Sequence, residues 1–249
     1  MLETLRASFW MFSLVIAHIS ARLPLPDSPY IERVWRGRSD GGGNFVTVAA
    51  GHLELVVTRL ADITMVTVRG PETRATTIEC PPDGEWAAIR FRLGVHMPAL
   101  PTDLLVDHRD VNLVVSADGS FVLQGSRWPL PDLENAERYV DQLARRGVIA
   151  RDEVVDAAIR GGRQPLTIRS VQRHFRRTTG MTHGLFRQIE RARHAANLLR
   201  DGASILDTVH AAGYFDQAHL SRSLKVLIGR TPASVMGHDA QLSFLYKTG

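Results

Sequence analysis

Gly213-Tyr214-Phe215-Asp216-Gln217-Ala218-His219-Leu220-Ser221-Arg222-Ser223-Leu224-Lys225 is the stretch on which the fold of the carboxy-terminal part turns. Upstream of it, Ser204 is placed to cap a helix, with Asp207 three residues on as the reciprocal member of a capping box. Ile205, Val209 and Ala212 fall on one face of that helix, and Gly213 stops it. After the short turn Tyr214-Phe215, Asp216 is suited to cap a second helix, Gln217 to Ile228. Leu220, Leu224 and Leu227 recur there at i, i+4 and i+7, which leaves Gln217, His219, Ser221, Arg222 and Lys225 on other faces. Gly229-Arg230-Thr231-Pro232 then ends one helix and begins another, with Thr231 as cap and Pro232 in the first turn. Two short helices joined through a glycine turn, the second displaying Gln, Ser and Arg, suit a major-groove reader. Arginine can take guanine O6 and N7 together, and glutamine can do the same for adenine N6 and N7.

Moving further upstream, Leu166-Thr167-Ile168-Arg169-Ser170-Val171-Gln172-Arg173-His174-Phe175-Arg176-Arg177-Thr178-Thr179-Gly180 reads as another such helix. Val171 and Phe175 face inward, while Arg169, Gln172, Arg173 and Arg176 stay outward. Asp152 to Ile159 is the expected preceding helix, and Leu185 to Leu199 a longer one between the two units.

These residues resemble the signature of the AraC/XylS family of transcription regulators. The resemblance lies in the aromatic residue after Gly213, the Asp216-Gln217 pair, His219-Leu220-Ser221-Arg222, the basic Lys225 and the closing Gly229-Arg230-Thr231-Pro232. It implies two helix-turn-helix units joined by a linker helix, double-stranded promoter DNA as the ligand, and RNA polymerase as a partner. Arg169, Gln172, Arg173, Gln217, His219, Ser221 and Arg222 are the candidates for contacts to base edges. Arg176, Arg177, Lys225 and Arg230 are the candidates for phosphates. The chain departs from the common pattern in three places. Gly161 to Pro165 lengthens the turn of the first unit, leucines stand at 220 and 224 where phenylalanines are frequent, and Phe215 replaces a small polar residue.

The charge distribution agrees with this division. The formal net charge is +4, yet from Arg160 onward there are 14 Arg and Lys against 5 Asp and Glu, and before it 16 against 21. A basic half joined to a mildly acidic one is the footprint of a polyanion-binding module attached to something else. Lys225 and Lys247 are the only lysines, so the positive charge is almost all guanidinium, whose planar fork suits phosphate and guanine. A coat protein for RNA or chromosomes would share the charge but has no need of Gln and Ser on two reader helices.

The first half is different in period. Ile31–Trp35, Phe45–Val48, His52–Thr58, Thr64–Arg69, Thr76–Glu79, Ala87–Leu93 and Val111–Val115 read as strands separated by turns at Asp40–Gly43, Arg69–Pro71 and Pro81–Gly84. Regularly spaced short strands predict a small sandwich or barrel. Pro29–Trp35, Val68–Thr73 and Ile89–Gly94 resemble an uncharacterised amino-terminal domain found in one branch of such regulators. The period switches near 124–132, and Leu133 to Arg146, stopped by Gly147, reads as a connector helix. The expected fold is therefore α+β in two domains. A β-rich sensing or oligomerising domain spans 1–130 (1–22 an extension of it), a connector 131–147, and an all-α domain with two helix-turn-helix units 148–249.

Other chemistries fit less well. Cys80 is the only cysteine, so a DNA-repair methyltransferase with its several thiols is excluded, as is an internal disulfide. It is expected as a small buried hydrophobe at a strand edge. His52 and Glu54 alternate on a strand, and with His96 or His108 they form the alternative reading, a cupin-like metal-dependent enzyme fused to a DNA-binding domain. The ligand spacing is loose and no His-x-His occurs, so no metal, no cofactor and no enzymatic activity are expected. Trp35 and Trp86 are expected in the core, with a pocket lining as the other use. The apolar run Ser8 to Ile19 is too short to span a bilayer and lacks a small-residue cleavage site after it, so a cytoplasmic protein without membrane association is expected. A small-molecule effector and a homodimer complete the expected partners.

Overall fold

The computed structural model describes residues 18–22, 28–39, 41–61, 63–107, 109–159 and 167–237. Most of Ser8 to Ile19, together with His108 and the turn Gly161 to Pro165, lies outside them.

The strands are β1 (His18–Arg22), β2 (Ile31–Arg38), β3 (Gly43–Val46), β4 (Glu54–Leu60), β5 (Ile63–Arg69), β6 (Thr77–Cys80), β7 (Gly84–Phe91), β8 (Val95–His96), β9 (Val111–Val114), β10 (Ser120–Leu123) and β11 (Ser126–Pro129). Helix α1 (Ala136–Arg145) follows, then β12 (Ala150–Arg151) and six helices. These are α2 (Glu153–Ile159), α3 (Ile168–Thr179), α4 (His183–Arg200), α5 (Ile205–Ala211), α6 (Gln217–Leu227) and α7 (Pro232–Met236).

An antiparallel six-stranded sheet, in the order β1-β2-β7-β4-β5-β9, is the frame of the first half. Among the described residues it does not close into a barrel, and the remaining strands there form three two-stranded pairs. The side-chain alternation of β4 and β7 sorts residues to two faces. Leu55, Val57, Ile89 and Phe91 point into a core shared with Phe121, Trp128 and helix α1, which contributes Tyr139, Val140 and Leu143. Trp128 and Tyr139 meet edge to face at 6.2 Å, and the Tyr139 hydroxyl donates to the Pro129 carbonyl at 3.2 Å. The predicted connector helix is thus packed on the sheet. Its far end is fastened as well, because β12 pairs with β8.

On the other face, Glu54, Leu60, Trp86 and Arg90 line a cavity whose far wall includes Phe45 of β3 and Ile78 and Cys80 of β6. Cys80 is buried there, as expected of a lone thiol, and burial pushes its pKa up. Trp35 and Trp86 are half-buried and line the same cavity, so the expectation that they fill the core is corrected.

The helical half gathers around α4, whose Ile189, Ala192, Ala195, Ala196 and Leu199 are all buried. The small side chains let α5, α6 and α7 approach closely, and Phe175 of α3, Val209, Leu220, Leu224, Ile228 and Val235 complete the cluster. Val48, Ala49 and Leu93 of the first half are buried in the same cluster.

Candidate nucleic-acid interface

Each helix in the second half begins where a hydroxyl or carboxylate can satisfy its free amides. Thr167 accepts from Ser170 N, Thr182 from Leu185 N, Ser204 from Asp207 N, Asp216 from His219 N and Thr231 from Ser234 N. Ser204 is the cap read from the sequence, but the capping box is not completed in the expected way. The Ser204 hydroxyl donates to the Asp207 carboxylate at 2.6 Å, a side-chain pair. The stops also follow the sequence, with Gly180, Gly213 and Gly229 at φ of +66°, +68° and +77°.

Helix α3 buries Phe175 completely, with Val171 partly buried beside it. Arg169, Gln172, Arg173, Arg176 and Arg177 are all exposed. Gln172, Arg173, Arg176 and Arg177 come together along one cleft. Its opposite wall belongs to the first half, at His96, Pro98, Pro101 and Asp103. Arg177 differs from its neighbours in having a fixed partner, since its Nη2 donates to Asp152 Oδ2 at 3.0 Å.

Asp152 is a site residue that sequence reading took only as the start of a helix. It is buried, accepts from the amides of Val154 and Val155 at the start of α2, and takes His174 Nδ1 at 2.7 Å from α3. Burial works to raise its pKa, but the hydrogen bonds from His174, Arg177 and Val155 outweigh that and hold the carboxyl below its ordinary range. One carboxylate therefore joins the two helices of the first unit.

In α6 the buried ridge is Leu220, Leu224 and Leu227, as the spacing predicts. Gln217, Arg222 and Lys225 are exposed, Ser221 is half-buried, and Arg230 beyond the helix is half-buried. His219 is half-buried too, edge-on against the Tyr214 ring at 5.1 Å. Tyr214 is itself held by Ser223 Oγ at 3.0 Å and covered by the Arg191 guanidinium at 4.7 Å. Ala218 was not singled out from the sequence, although its spacing of four from Arg222 places it on the exposed face. A methyl group there is the kind that meets a thymine methyl.

His52 and Glu54 both border the cavity of the first half, but each is engaged elsewhere. His52 Nδ1 lies 2.8 Å from Glu32 Oε2, and Glu54 takes Arg90 Nε at 2.6 Å. Among the described residues no group of three His, Cys, Asp or Glu side chains is placed to hold a metal ion.

A buried leucine ridge, capped starts and an outward basic face define a helix-turn-helix DNA-binding domain. A family model described as "Helix-turn-helix domain" matches residues 165–237, a range that takes in α3 to α7. The match covers the carboxy-terminal part and supports, for that part, a DNA-binding transcription regulator of the AraC/XylS type. No curated protein and no solved structure matches the chain. Among the described residues no helix is long and apolar enough to cross a membrane.

Proposed function

We propose that this regulator occupies a promoter by laying α3 and α6 into two successive major-groove segments of one duplex, about one helical turn apart. The observation that carries the reading is that Arg173 and Arg222 are both exposed, on separately capped helices packed against the shared α4. Base edges fall to Arg169, Gln172, Arg173, Gln217, Ser221 and Arg222, with His219 reaching DNA only from beside Tyr214. Arg176, Arg177, Lys225 and Arg230 serve phosphates, Arg177 while exchanging with Asp152.

The proposed division of the chain is 1–130 for sensing and oligomerising, 131–147 for connection and 148–249 for DNA. Control by a small molecule in the first domain is part of the reading. Its support is the cavity walled by Trp35 and Trp86 in a domain that touches the DNA-binding half. RNA polymerase and a second copy of the chain are the proposed protein partners.

The test is selection of bound duplexes from a random pool with the full chain. A site with two conserved blocks centred about one turn (10–10.5 bp) apart is expected. A single block, or no enrichment over random duplex, would overturn the two-helix reading.

A further inference from the structure

The cavity of the first domain has a volume of about 220 Å³. That is below the ~300 Å³ at which drug-sized sites usually begin, so it suits a molecule of one or two rings. Its walls are largely apolar, with Trp35 and Trp86 from the sheet facing Phe45 and Ile78 from the β3–β6 pair.

Glu54 and Arg90 at its floor are already matched to each other. Glu54 stands directly across from Arg90 on one side and Arg69 on the other in the strand register. Its Oε1 accepts from Arg90 Nε at 2.6 Å and from the Trp35 indole at 3.3 Å. Glu72, buried, accepts from the Thr47 hydroxyl. An ion entering beside the Glu54–Arg90 pair would lose its water without gaining an unpaired counter-charge there. A neutral molecule meets no such cost. A carboxylate has about four acceptor positions, so Glu54 keeps capacity for a donor on the ligand.

The cavity wall is also part of the support of α6. Thr47, Ala50 and Glu72 line the cavity, and their segments are tied by the Ala50–Glu72 bridge, 2.9 Å in both directions, and by Thr47 N to Thr76 O at 2.8 Å. From these same two segments Ala49 N donates to Leu227 O, and Ala75 N to Val226 O, each at 2.8 Å. The last carbonyls of a helix have no partners within it. Here the first domain supplies them, Ala49 from between the cavity-lining Val48 and Ala50, and Ala75 from beside Thr76, whose carbonyl accepts from the cavity-lining Thr47.

We infer that this cavity is the effector site, that it takes a neutral aromatic molecule of one or two rings bearing a hydrogen-bond donor, and that occupancy acts on α6 through segments 47–50 and 72–76. The inference rests on the reading that a small molecule controls DNA binding, and it assigns that control a place and a chemistry.

Full-length protein is titrated calorimetrically with 2-naphthol, 2-naphthoate and 2-(aminomethyl)naphthalene, which share a body and differ in charge. 2-Naphthol is expected to bind, with the two ions about tenfold weaker or worse, as the burial of an uncompensated charge requires. Ile78→Trp, which fills the cavity from its half-buried rim, is expected to abolish the binding. With a duplex from the selection, 2-naphthol is expected to change the DNA affinity of the wild type about fivefold or more. Ala75→Pro removes the amide that reaches Val226 and is expected to keep naphthol binding while losing that change. Where this variant does not fold, lactic acid in place of Ala75 removes the same donor as a backbone ester. Equal binding of all three probes overturns the ligand class, and no binding, or binding that Ile78→Trp leaves intact, overturns the site. Naphthol binding without effect on DNA affinity overturns the route to α6. A host metabolite extract that shifts DNA binding equally in wild type and Ile78→Trp overturns this site while ligand control itself stands.

Discussion

His174 Nδ1 lies 2.7 Å from Asp152 Oδ2, and this contact joins α3 to the helix that precedes it. The same oxygen accepts Arg177, so a single buried carboxylate holds two side chains of α3.

Asp152→Asn is expected to destabilise the protein by about 1–3 kcal/mol, the range for leaving buried hydrogen-bonding groups imperfectly matched. The carboxyl has a lowered pKa in the folded chain. Its stabilising contribution is therefore complete above the ordinary carboxylate pKa of about 4 and is lost as the pH falls from there through the folded value. Urea unfolding at a series of acidic pH values should show a smaller loss of stability in Asp152→Asn than in the wild type. Parallel pH profiles would remove Asp152 from this role.

Arg173→Ala and Arg222→Ala are expected to act on different positions of the operator. Each should cost about 1–3 kcal/mol of specific binding and relax the preference at one base pair. Lys225→Ala should instead weaken all duplexes alike and reduce the slope of log affinity against log salt by about one. Binding titrations over salt, with single-base variants of the selected site, separate the two behaviours. Relaxation at the same base pair by both arginine variants would contradict two separate readers.

Leu220 and Phe215 make opposite cases a few residues apart. Leu220 has no exposed surface, and Leu220→Ala is expected to cost about 2–5 kcal/mol. Phe215 is 90% exposed, and Phe215→Ser should change stability by no more than about 0.5 kcal/mol. Guanidinium titrations of both variants decide this. A large effect at Phe215 would mean that its ring is covered in solution.

Gly229 is constrained twice. Its φ is +77°, and a Cβ there would stand 2.6 Å from Val46 Cγ1 of the first domain. Gly229→Ala should therefore cost about 1–3 kcal/mol for the backbone conformation, with more from the clash. Because the clash falls where the first domain meets the end of α6, the affinity for DNA should drop along with the melting temperature. Unchanged affinity in a destabilised variant would show that this contact does not bear on reading.

The helical half was legible because its determinants are local. Ser204, Asp216 and Thr231 act within three residues, and Leu220, Leu224 and Leu227 declare a face by spacing alone. The seven strands read from the sequence are all present, since alternation is also local. What escaped depends on distant partners. β8 and β12, two residues each, exist only through pairing with one another, and β10–β11 carries no long alternating run. From the sequence Trp35 and Trp86 are expected in the core, because large aromatics usually go there. Nothing near them reveals that the β3–β6 pair leaves a space above the sheet. The tie from Asp152 to His174 was hidden for the same reason, as both ends look ordinary alone.

Val48, Ala49 and Leu93 pack among the side chains of the helical half. A chimera that grafts these helices onto another sensor would inherit three empty sockets unless the new partner brought side chains of matching size. Transplanting the reader thus means transplanting a small piece of its neighbour, and sequence drift at those three positions is tied to drift in the helices.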